Sequence, residues 1–98
     1  MDATAAVEIL RAHRDDLRRQ GVMRAALFGS VARGESTALS DLDIMVDIDP
    51  AANVDLYRFA GIVRYIAELF PGRVDVSDRT MLVEQVRKTA ERDALYAF

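Results

Sequence analysis

The chain contains no cysteine. Disulfides are thereby excluded, and so is any metal site built on thiolates. It has no apolar run long enough to cross a bilayer, and its first residues, Met1-Asp2-Ala3-Thr4, lack a basic leader stretch. No membrane association is expected, and the cytoplasm is the expected compartment. An excess of positive charge is also missing. The 13 basic residues stand against 16 acidic ones, for a formal net charge of −3. Such a chain has no general pull toward a nucleic-acid backbone, so direct nucleic-acid binding is not expected. A bound triphosphate would need local help from a metal ion, backbone N–H groups or a single arginine. Repeats, low-complexity tracts and linkers are absent as well.

What remains is an ordinary globular composition, 51% hydrophobic and 30% charged, which argues against disorder. At 98 residues the expectation is one domain, 1–98, with a modest core. Ala6, Ile9, Leu10, His13 and Leu17 recur at helical spacing over residues 4–20. Thr4 is the expected cap and Gly21 the expected stop. Residues 23–28 read as a short strand, Gly29-Ser30 as a tight turn, and a short helix starts near Val31 and ends at Gly34. Residues 35–39 read as loop.

Residues 41–49 form the clearest strand. Leu42, Ile44, Val46 and Ile48 alternate with Asp41, Asp43, Met45, Asp47 and Asp49, so one face is apolar and the other carries carboxylates. Residues 54–70 have a broad apolar helical stripe that includes Phe59, Val63, Ile66 and Phe70. Pro71-Gly72 turns the chain into a third strand at 73–76, and a helical pattern returns over 79–91. Residues 94–98 read as either a last short strand or a frayed end. The order α-β-α-β-α-β-α predicts an α/β (α+β) fold with a mixed sheet of three to four strands covered by helices. The link from Gly29 to Asp41 is short for a parallel crossover. The first two strands should therefore be antiparallel, and the second and third parallel.

Three carboxylates and one turn carry the chemistry. Asp41 and Asp43 are two apart on a strand, so they share a face with Cα atoms roughly 7 Å apart. That spacing suits two divalent cations about 3.5–4 Å apart. Hard oxygen ligands favour Mg²⁺, which readily shares its shell with phosphates. Asp75 lies between Val74 and Val76 in what reads as a buried strand, where a lone charge needs a partner. If the third strand lies beside the second, Asp75 completes a three-carboxylate metal site. Gly29-Ser30, at a strand end opening a helix, offers N–H groups and a hydroxyl to an anion. Arg33, one helical turn on, can reach the same phosphates.

Gly29-Ser30, then ten residues, then Asp41-Leu42-Asp43 resembles the signature of the polymerase-β-like nucleotidyltransferase superfamily. Chance alone produces that spacing in roughly one in a thousand chains of this length. The fuller runs Leu27-Phe28-Gly29-Ser30-Val31-Ala32-Arg33-Gly34-Glu35 and Ser40-Asp41-Leu42-Asp43-Ile44-Met45-Val46 are similar to its minimal branch. The resemblance implies a polymerase-β-like nucleotidyltransferase core. It implies two Mg²⁺ ions on Asp41 and Asp43, with Asp75 binding the catalytic metal and helping to deprotonate an acceptor hydroxyl. It places the β,γ-phosphates of ATP on Gly29 and Ser30, with Arg33 and Ser40 also in the nucleotide site. The hydroxyl attacks the α-phosphorus and pyrophosphate leaves. Larger members resemble this core plus an acceptor-binding domain, for which no residues remain here. Stand-alone members resemble the antitoxin of a two-gene pair whose partner is a helical HEPN ribonuclease toxin. Those antitoxins transfer AMP from ATP to a toxin tyrosine, which implies a heteromeric complex with a HEPN-type toxin.

Other readings stay open beside this one. The same fold can neutralise a partner by stoichiometric contact without catalysis, or can modify a different acceptor. Asp47 and Asp49 lie too far along the strand for the site and read as structural or edge-protecting. The acidic run is not a calcium loop, because Met45-Val46 falls where an oxygen ligand and a glycine are needed. His13 reads as a packed or surface residue. Tyr57, Tyr65 and Tyr96 read as core or interface.

Overall fold

The structure, a computed structural model, describes residues 1–35 and 41–98. Helix α1 spans Ala3–Ala12 and α2 spans Arg14–Arg19. The cap of α1 is Asp2, whose carboxylate accepts from the Ala5 N–H at 2.8 Å, not the expected Thr4. The continuous helix predicted over 4–20 breaks at His13, for a local reason. The His13 ring Nδ1 lies 2.8 Å from the Ile9 carbonyl, the acceptor that the His13 amide would use in an unbroken helix. The amide turns instead to the Leu10 carbonyl at 3.1 Å, tightening one turn. Leu10 and Leu17, on either side of the break, both remain fully buried.

Strand β1 is Val22–Phe28 and β2 is Leu42–Ile48. The short helix α3, Gly29–Ala32, begins where β1 ends. Helix α4 is Leu56–Ala67, capped by Asp55, and β3 is Val74–Asp78. Helix α5 is Glu84–Asp93, and a two-residue strand β4, Leu95–Tyr96, follows. The helix expected over 79–91 is interrupted. Arg79–Met81 forms a 3₁₀ turn capped by Asp78 before α5 begins.

The sheet order is β3-β2-β1-β4. Strands β1 and β2 are antiparallel, and β2 and β3 are parallel with α4 as the crossover, as the loop lengths predicted. The tail is a strand and not a frayed end: β4 pairs antiparallel with β1 at Ala26 and Leu27. Arg11 ties it down, its Nε donating to the Ala97 carbonyl at 2.7 Å.

The two faces of the sheet are covered unequally. Ala25 and Leu27 of β1 and Leu42, Ile44 and Val46 of β2 pack with Leu10, Leu17, Ile62 and Ile66 into the main core. The opposite face is sealed only by a small cluster, Ala26, Met45 and Ala90, with Phe28, Leu82 and Ala94 beside it. Met45 is thus buried on the carboxylate side of β2, because α5 crosses there. Each fully buried leucine, isoleucine or valine of the main core contributes roughly 1.5–3 kcal/mol. The sparse face supplies little of this, and it carries the acids. Among the described residues, no helix is long and apolar enough to cross a membrane.

Candidate active site

The ladder of β2 places Asp43 between two neighbours. Its Cα partner on β1 is Phe28, and its Cα partner on β3 is Asp75. Paired strands lie about 4.8 Å apart, so two carboxylates stand side by side on one face of the sheet. Asp41 lies one residue before β2, and its carboxylate makes a long 3.7 Å ion pair with Arg73. The parallel β2–β3 register thus brings Asp75 beside Asp43, while Asp41 lies outside the ladder.

One premise of the sequence reading fails. Strand β3 is the sheet edge, and Asp75 is exposed where burial was expected. Flanking valines signalled a central strand, but both are only partly buried, because β3 has a neighbour on one side alone. It is Asp43 that is half-buried. Its carboxyl is pushed above the usual carboxylate range, first by burial, then by repulsion from Asp75 and Asp41, with Arg33 opposing. Two acids beside one partly desolvated carboxylate repel it, and a bound cation relieves that repulsion. Among the described residues, no three histidine, aspartate or glutamate side chains already converge as a metal cage.

Gly29 adjoins this carboxylate and is required twice. Its φ of +76° is left-handed, and a Cβ built there would run into the Asp43 carboxylate. Helix α3 that follows is a single turn, so its dipole is small. Its N-cap is Phe28, which has no side chain to satisfy the first-turn N–H groups. Those donors at Ser30 and beyond remain open to an anion. Buried Val31 anchors the turn.

Arg33 is held by two acids. Its Nε donates to Glu35 at 3.1 Å and a terminal nitrogen donates to Asp93 at 3.2 Å. These bonds raise its pKa further, Glu35 more than Asp93. Arg33 thereby clamps α3 to the end of α5, a link that sequence spacing gave no means of finding. Ser40 lies outside the described residues.

The other acids of β2 serve the scaffold. Asp47 cannot protect an edge, because β2 is central in the sheet. It accepts from Arg79 at 2.6 Å, and Arg79 also holds Glu91 of α5 at 2.7 Å. Asp49 caps the 3₁₀ turn Pro50–Ala52. Tyr65 donates to Asp16 at 3.0 Å and meets the His13 ring edge-on, which fixes α4 against the break in the first helix.

The sequence profile of the nucleotidyltransferase domain family matches residues 10–97. Protein adenylyltransferase MntA of Thermococcus cleftensis is 37% identical over 89 residues, which cover 90% of this chain and 88% of that one. A solved structure provisionally named a minimal nucleotidyltransferase superposes with a TM-score of 0.72 at 33% identity, covering 97% of this chain and 95% of the other. A crystal structure of a toxin–antitoxin with AMP-PNP shares the fold, with a TM-score of 0.68 at 20% identity, covering 90% of this chain and 72% of that one.

Proposed function

We propose that this chain, which belongs to the nucleotidyltransferase domain family and to its minimal branch, transfers AMP from ATP to a tyrosine of a HEPN-type ribonuclease toxin and so acts as its antitoxin. The carrying observation is the register that sets Asp43 against Gly29 on one side and Asp75 on the other. The names of similar proteins, a protein adenylyltransferase and a toxin–antitoxin complex, support a protein acceptor and a toxin partner; the HEPN class and the tyrosine come from the family resemblance alone.

In this reading the triphosphate lies on the Gly29-Ser30 turn, where open N–H groups meet its oxygens. Asp41, Asp43 and Asp75 would hold two magnesium ions, and the crowded, partly desolvated carboxylates suit that donor set. Bound magnesium would neutralise phosphate charge and orient the α-phosphorus. Asp75, exposed on the open edge, is accessible to a partner's hydroxyl and takes its proton. The tyrosine oxygen bonds to the α-phosphorus, the α,β-bridging P–O bond breaks, and pyrophosphate departs. The protein's contribution is positioning and charge stabilisation.

One observation favours a second reading. Leu56, Tyr57, Met81 and Val83 are large apolar side chains left at least 69% exposed, a surface suited to protein contact. Neutralisation by stoichiometric binding would use that surface without chemistry. Incubation of the chain with α-labelled ATP, Mg²⁺ and the product of the neighbouring gene separates the two. Label on a toxin tyrosine, lost in Asp41→Ala/Asp43→Ala, is the expected result. No transfer by the native chain, or rescue of cells from toxin by the double variant at native strength, would overturn the catalytic reading.

A further inference from the structure

A cavity of about 400 Å³ opens beside the phosphate turn, between the end of β1 and helix α5. Its lining includes Phe28, Gly29, Gln85, Val86, Thr89 and Ala90. That volume falls within the range of small-molecule sites. Among the described residues, two larger cavities, about 500 Å³ along α2 and α4 and about 480 Å³ beside Leu56 and Met81, are lined by none of Gly29, Asp43 or Asp75. The cavity at α5 is on the carboxylate side of the sheet, since α5 rests on Ala26 and Met45 through Ala90.

We propose that this cavity is the nucleoside pocket and that Gln85 reads the adenine edge. The inference rests on the function proposed above, which puts a triphosphate on Gly29 and Ser30. From there the ribose and base must extend into adjoining space, and this cavity shares Gly29 with the phosphate turn.

The lining chemistry fits a purine. Phe28, Val86 and Ala90 provide apolar surface for the flat faces of a base. Gln85 provides a carboxamide, donor and acceptor together. Adenine offers N7 as acceptor and N6 as donor side by side, which a carboxamide matches in one bidentate contact. Guanine offers two acceptors on that edge, which a carboxamide cannot match. The Thr89 hydroxyl donates to the Gln85 carbonyl at 3.2 Å, so it faces the cavity with acceptor capacity only. That again favours an exocyclic amino group. The Arg33–Asp93 pair closes the end of the cavity and neutralises the one carboxylate in its wall. Arg33 in this arrangement is a positioning residue that ties the phosphate turn to the base pocket.

Titration calorimetry of the full chain with ATP, GTP and inorganic tripolyphosphate, each with Mg²⁺, tests this. Gln85 and Val86 are exposed, so Gln85→Leu and Val86→Glu leave the core untouched. The native chain should prefer ATP to GTP by about tenfold or more, the worth of one bidentate base contact. Gln85→Leu should bring ATP down to the GTP level, and Val86→Glu should weaken both nucleotides. Tripolyphosphate should bind all three proteins alike. Variants that bind ATP as the native chain does, while tripolyphosphate still binds, would overturn the pocket but not the phosphate site. A native chain that binds neither ATP nor tripolyphosphate would overturn the underlying function as well.

Discussion

Gly29→Ala is the most informative single perturbation, because two separable costs meet at that position. The first is backbone. Gly29 sits at φ +76°, and a residue with a Cβ loses roughly 1–2 kcal/mol there. The second is contact. The added methyl group would run into the Asp43 carboxylate, which must then leave its position. Turning a side chain about 30° off its rotamer costs about 0.5–1.5 kcal/mol. The sum is about 1.5–3.5 kcal/mol, read as a lower midpoint of urea unfolding in EDTA.

The two terms come apart in a double-mutant cycle with Asp43→Ala. With the carboxylate gone, Gly29→Ala should cost only the backbone share, so the coupling between the sites should be about 1 kcal/mol. Activity should fall further than stability does. A catalytic group displaced by about 1 Å can lose about a hundredfold in rate. An identical cost of Gly29→Ala with and without the Asp43 carboxylate would refute the contact, and with it the claim that Gly29 makes room for Asp43.

Asp43→Asn should raise the thermal midpoint in EDTA while abolishing nucleotidyl transfer. The folded chain raises the Asp43 pKa, so keeping it ionised at neutral pH disfavours folding, and a lowered midpoint would contradict that sign. Arg79→Ala should cost about 1 kcal/mol in urea unfolding, since it releases both Asp47 and Glu91; no change would mean those pairs contribute nothing. Arg11→Ala should cost about 1 kcal/mol and speed hydrogen exchange at Ala97, whose N–H reaches the Ala25 carbonyl at 2.8 Å; unchanged exchange would show that β4 holds without the arginine.

The parts of the fold legible in the sequence were those set by period and by loop length. Alternation over 41–49 located β2 and its acid face, and the short link from Gly29 to Asp41 made β1 and β2 antiparallel. Misreadings came where a side chain competes with the backbone or where an element's place in the sheet matters. The ring of His13 takes a helix carbonyl, which no apolar period reveals. Asp75 between two valines looks the same in a central strand as in an edge strand, and only the strand order tells them apart. Arg33 shows the remaining limit. Its partner Asp93 is 60 residues away, beyond the reach of local spacing.

The unequal sheet explains how so small a chain can afford a cluster of repelling acids. Stability is concentrated on one face, where fully buried Leu10, Leu17, Leu27, Ile44 and Ile66 meet. The other face is covered by α5, which reaches Met45 directly and Asp47 through Arg79 while leaving Asp43 half-open. Had α5 covered Asp43 as it covers Met45, the carboxylate would have been desolvated further and its proton harder to lose. Had α5 been absent, Met45 and Ala26 would be exposed and the cavity beside Gly29 would have no second wall. The clamps Arg79–Glu91 and Arg33–Asp93 both hold the last turn of α5 in this position. Lengthening or shifting α5 by one turn should therefore damage nucleotide binding before it damages folding.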